Sequence, residues 1–140
     1  MPELGTEIAS YLEALGPDAA RRMRIAAYRD AFEAAVRFVW RHDALAADYV
    51  LAHVNGFYIH KDDRPRKRAF RDRDHILCTI YADDATIRSD IDARQELLRL
   101  ALARENVHYD ELRILPSKLD MRTRRPFPEA VRRLERAMRG

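Results

Sequence analysis

Residues 76–91 read ILCTIYADDATIRSDI, and the two halves of this stretch follow different periods. Ile76, Cys78, Ile80 and Ala82 fall on one face of an extended strand, with Leu77, Thr79 and Tyr81 on the other. Beyond Ala85 the apolar residues recur at helical spacing: Ile87, Ile91, Leu98 and Leu102 are in line, flanked by Leu97 and Ala101. The period changes at Asp83-Asp84. This predicts a strand over 75–82 handing over to a helix over 85–105. A second short strand follows in Asp110–Leu115 (DELRIL), closed by Pro116. Strand, helix and strand form a β-α-β unit, whose crossover makes the two strands parallel.

The outer segments attach to this unit. Leu4, Ile8, Leu12 and Leu15 form one stripe, predicting an N-terminal helix over 2–15 that Gly16-Pro17 ends. A longer helix starts at Pro17 or Asp18 and carries Ile25, Tyr28, Phe32, Ala35, Val36 and Val39, with Arg21, Arg22, Arg29 and Arg37 mostly pointing away. It breaks near His42-Asp43, and a short helical piece runs from Ala44 to His53. Asn55-Gly56 reads as a turn. Phe57-Tyr58-Ile59 reads as strand, and an edge strand is expected around Lys67–Arg71. Pro128 suits the first turn of a last helix, whose narrow stripe is Val131, Leu134 and Met138. The expected fold is one α+β domain over 1–140, a small mixed sheet packed by helices in the order α-α-β-β-α-β-α. Residues 1–16 and the basic linker plus helix over 117–140 are read as appendages to it.

With 140 residues the chain has the length of one domain with a real core. It has no apolar run long enough to span a bilayer. Its first residues are acidic and periodic rather than leader-like, and Cys78 is the single cysteine; a cytoplasmic protein is expected. The net charge of +3 hides an asymmetry. Residues 1–63 carry 7 basic and 10 acidic side chains, whereas residues 64–140 carry 19 and 13. A basic half suits a polyanion or an acidic partner.

Tyr81-Ala82-Asp83-Asp84 also has the tyrosine-x-aspartate-aspartate pattern that reverse transcriptases place at a metal-binding turn. Two-metal chemistry needs carboxylates converging from several segments on ions about 3.5–4 Å apart. Here a long helix follows the pair, no second aspartate motif stands on another strand, and a polymerase palm does not fit in this length. An aspartate at a helix start instead accepts a hydrogen bond from a free first-turn amide and favours the helix dipole. The capping reading is therefore preferred. His42, His53, His60, His75 and His108 show no metal-ligand spacing. Cys78 alternates with isoleucines and reads as a small buried residue. There is no glycine-rich phosphate loop. No enzymatic activity, metal or cofactor is expected.

The basic stretches remain. Arg64, Arg66, Lys67, Arg68 and Arg71, with Arg73, surround Phe70; Lys118, Arg122, Arg124 and Arg125 lie beside Phe127. Such segments neutralise phosphates, and an interleaved aromatic such as Phe70 stacks on an unpaired base. The competing reading is a solvated loop that protects a sheet edge. The last helix carries a similar choice: its stripe either caps its own core or docks on a partner protein.

The stretch from Ile76 to Pro116 resembles the core of the DciA family, bacterial proteins associated with the replicative helicase. The likeness rests on the strand ILCTIYA, the polar turn Asp83-Asp84-Ala85-Thr86, Ile87 at the place of a tryptophan, and Asp90-Ile91 at that of glutamate-leucine. ELLRLAL continues the helix, and Leu112-Arg113-Ile114-Leu115 supplies the last strand. The helix with Trp40 and the basic loop with Arg64-Pro65 are compatible with the family's front half. The resemblance implies a KH-like α+β fold, no enzymatic activity, DNA contact through basic surface, and a role in bringing or holding the replicative helicase on DNA. A protein-interaction module that touches no nucleic acid is the alternative.

Overall fold

The structure, a computed structural model, describes residues 16–62 and 74–140. The expected helix over 2–15 and the edge strand around Lys67–Arg71 lie outside them. The described order is α1 (Pro17–Val39), α2 (Ala44–His53), β1 (Val54–Lys61), β2 (Ile76–Ala82), α3 (Ala85–Ala93), α4 (Gln95–Arg104), β3 (Glu111–Pro116), a 3-10 turn (Leu119–Met121) and α5 (Pro128–Arg139). This is the α+β class read from the sequence, a small mixed sheet packed by helices.

Gly16 takes φ 93°, a left-handed value glycine adopts at little cost, and Pro17 supplies the preset φ of the first helical turn. On α1 the buried face is Ala31, Phe32, Ala35, Val36 and Val39. Ile25, in the same predicted stripe, is 53% exposed, so the start of the helix reaches beyond the core. The break after α1 falls where expected. Asp43 caps α2 by accepting a hydrogen bond from the Ala46 amide at 3.1 Å.

Helix α2 runs directly into β1 with no turn. Asn55-Gly56, a turn signal by composition, lies inside the strand at a bulge. Val54 pairs with Ala82 and Gly56 with Tyr81, which leaves Asn55 as the extra residue. Strand β2 is central, antiparallel to β1 and parallel to β3. The helices collect on the face carrying Cys78, Ile80 and Ala82, all fully buried.

The predicted single helix over 85–105 is two helices, which meet at Arg94 with φ −113° and ψ 18°. Ile91 and Leu98 are seven residues apart, a spacing that keeps one stripe in a straight helix and hides the break. The bend lets α3 pack on β2 and β3 while α4 packs on α1. Helix α4 ends in a left-handed Asn106, φ 61°, with the Val107 amide donating back to the Leu102 carbonyl at 2.9 Å.

The C-terminal segment, an appendage by sequence, contributes Phe127 and Ala130 to the core. Phe127 packs on Phe32 with ring centroids 5.7 Å apart, and Phe32 stacks on Phe57 at 4.6 Å. Helix α5 lies against α2. There the buried Asp48 carboxylate accepts from Arg133 Nε at 3.1 Å and from Arg37 Nη2 at 2.7 Å. Arg37, expected to point away, is thus half-buried in a three-way contact between α1, α2 and α5.

Burial pushes the Cys78 thiol up to about 12. The folded state therefore holds this proton through a range in which the unfolded chain releases it. This contribution to stability is complete below the ordinary thiol pKa and falls as pH rises from there toward about 12. Native protein at mildly alkaline pH should react with a thiol reagent only as fast as it unfolds. Prompt labelling without denaturant would contradict the burial.

Candidate nucleic-acid interface

Asp84 closes β2 and opens α3: its Oδ1 accepts from the Ile87 amide at 3.1 Å. Asp83 is turned elsewhere. Its Oδ1 lies 2.8 Å from His53 Nδ1 at the end of α2, and its Oδ2 lies 3.6 Å from Arg125 Nη1 on the linker. The two carboxylates thus serve different contacts, a cap and an inter-segment pair. Among the described residues, no three His, Cys, Asp or Glu side chains are grouped so as to hold a metal ion.

The linker between β3 and α5 is pinned by the bulge. Asn55 is buried, and its carboxamide oxygen accepts from Ser117 Oγ at 2.5 Å while its Nδ2 donates to the Arg124 carbonyl at 2.9 Å. The Ser117 amide also donates to the Ala82 carbonyl at the end of β2, at 3.3 Å. Arg125 Nη1 donates to the carbonyl oxygens of Arg122 and Arg124, at 2.6 and 3.0 Å. A stretch that reads as a loose basic linker is therefore held at both ends and folded on itself.

Arg122, Arg124 and Arg125 are exposed and gathered on this pinned segment. Their aromatic neighbours are not the ones composition suggests. Phe127 is in the core. Tyr58 on β1, 40% exposed, takes its place: Arg124 Nη1 reaches Tyr58 Oη at 3.5 Å. Tyr58 meets Tyr81 on β2 edge to face, with centroids 5.9 Å apart, and Lys118 Nζ lies 5.8 Å from the Tyr81 ring centroid. Gly56 makes room, since a Cβ there would come within 2.7 Å of the Tyr58 ring. The signal for Tyr58 was available in the alternation of β1, which sends Tyr58 and His60 to the face opposite Phe57 and Ile59. Tyr81 has the same signal in β2. The turn reading of Asn55-Gly56 obscured how the two strands pair.

Of the other predicted residues, Arg64, Arg66, Lys67, Arg68, Phe70 and Arg71 lie outside the described residues. Val131 and Leu134 are half-buried and Met138 is 78% exposed, so the α5 stripe starts on the domain and runs out into solvent. No family model matches the chain, and neither a curated protein nor a solved structure matches it.

Asp84→Ala removes the α3 cap and should cost about 1 kcal/mol in denaturant unfolding. Asn55→Ala leaves the Ser117 hydroxyl and the Arg124 carbonyl without their buried partner. It should cost about 1–3 kcal/mol and raise amide exchange across 117–126 above that of β2. Unchanged exchange in the linker would show that Asn55 does not hold it.

Proposed function

We propose that this chain is a non-enzymatic nucleic-acid-associated adaptor of the DciA type, contacting DNA through basic surface and helping to load or hold the replicative helicase. The observation that carries the reading is the set of exposed guanidiniums of Arg122, Arg124 and Arg125 on a pinned linker beside Tyr58 and Tyr81. A fixed cationic surface neutralises phosphates with little ordering on binding. The basic stretch from Arg64 to Arg71 adds charge to the same half of the chain. Support for the family comes from the succession helix, strand, strand, helix, helix, strand over α2 to β3, which suits the KH-like expectation. KH modules clamp the nucleic-acid backbone with a GxxG loop. The glycines here are Gly5, Gly16, Gly56 and Gly140, so no such loop exists and phosphate contact falls to the arginines and lysines. Among the described residues, no helix is long and apolar enough to cross a membrane.

DNA affinity should fall steeply with salt. Charge reversal at Arg66, Lys67 and Arg68, or at Arg122 and Arg124, should lower the slope of log affinity against log salt by roughly one for each phosphate no longer neutralised. Salt-insensitive binding, or a slope indifferent to both sets, would count against the proposal. The exposed end of the α5 stripe supports a second reading, a protein-interaction module that touches no nucleic acid. Met138→Asp spares the core. Loss of helicase binding in that variant, in nuclease-treated samples of a protein with no DNA affinity, would favour this reading.

A further inference from the structure

A cavity of about 430 Å³ opens between the start of α1, strand β1 and the end of the linker. Its size is that of a small-molecule site. Phe57, Tyr58, Pro126 and Phe127 make an aromatic and apolar lining, and its basic residues are Arg29, Arg124 and Arg125. No carboxylate is among the described residues that line it. Asp30, Glu33 and Glu129 line a separate, smaller hollow that shares Arg29, Pro126 and Phe127 with the cavity. Two features are thus combined in one concavity: flat aromatic surface, and positive charge uncompensated within the lining. Their ligand has a planar apolar body and an anionic group close to it.

We infer that this cavity takes one unpaired nucleotide, its base against Tyr58 and its phosphate on Arg29 and Arg124. The inference rests on the nucleic-acid reading above and narrows it. A paired base is stacked within the duplex and cannot enter such a pocket, so the site selects single strands. Arg125 is committed to the linker carbonyls and Asp83. Arg124 lies 4.0 Å from Asp120 in an exposed pair, a weak contact that a phosphate can displace, so Arg29 and Arg124 are the phosphate contacts. The position of Ile25 agrees: it belongs to the apolar stripe of α1, lies outside the core, and forms part of this lining. Tyr58 has two neighbours that hold its ring in place, Gly56 beneath it and Tyr81 beside it. An aromatic already ordered is a better stacking surface than a mobile one, because less entropy is lost on binding.

The test compares an oligothymidylate with a blunt duplex of the same length on the full chain. Wild type should favour the single strand. Tyr58→Ala should weaken single-strand binding between about fivefold and a hundredfold. The duplex should be unaffected, and Tyr58→Phe should restore the single-strand affinity. Arg29→Glu should weaken the single strand as well. Independently of any variant, titration of wild type with thymidine monophosphate should shift the backbone resonances of Phe57, Tyr58 and Phe127. Equal affinity for both DNAs, or a Tyr58→Ala variant that loses neither, overturns the pocket and leaves the salt-dependent basic surface standing. Absence of binding to either DNA removes both proposals. Binding of an apolar anionic dye at the cavity, with no response to thymidine monophosphate, would assign it to a different ligand and overturn the inference.

Discussion

The end of β2 is the constraint on which the remaining contacts depend. A central strand flanked by β1 and β3 needs partners for the polar groups at its end, and three segments converge to supply them. The Ala82 carbonyl accepts from Arg88 Nη1 at 2.7 Å and from the Ser117 amide at 3.3 Å. The Asp83 amide donates to the His53 carbonyl at 3.0 Å, and the Asp84 side chain receives the first turn of α3. Helix α2, helix α3 and the linker after β3 are therefore located by one short run of backbone. The twin aspartates are joints in this arrangement, with Asp83 joining α2 to the linker and Asp84 starting a helix.

The same convergence makes the linker a defined surface. Ser117 is tied to Ala82 by its amide and to Asn55 by its hydroxyl, and Asn55 is free to turn toward it because the bulge removes it from the ladder. The segment then returns into the core through Phe127 and Ala130, and Arg133 closes on Asp48. A buried carboxylate shared by two guanidiniums is weak evidence for net stability, since desolvation offsets much of the attraction. Its geometry does specify how α5 sits on α2. Between these anchors the arginines of 122–125 are displayed beside Tyr58, on the sheet face opposite the core.

Much of the architecture was legible in the residues. The alternation of 76–82 and the 3.6 period of α1 report burial directly, because side-chain direction repeats with the backbone. Asp43 and Asp84 precede helices as caps should. Three features were not legible. The break at Arg94 leaves the apolar stripe in register, so periodicity is blind to it. The sequence Asn55-Gly56 has turn chemistry, but its amide side chain finds partners 62 and 69 residues away, at Ser117 and Arg124. Phe127 sits among arginines in sequence and among Phe32 and Ala130 in space.

By itself, the order of residues determined where most of the described helices and strands fall, the parallel pairing expected of a β-α-β unit, and the concentration of positive charge in the second half. These are local or additive properties: period, capping chemistry and charge count need no knowledge of distant neighbours. Only the tertiary structure decided which aromatics stand beside which arginines, and that a cavity lies between them. That choice depends on contacts between segments far apart in the chain. The buried Asn55 amide at the bulge, whose effect on β1 and the linker no local pattern records, supplies two of them.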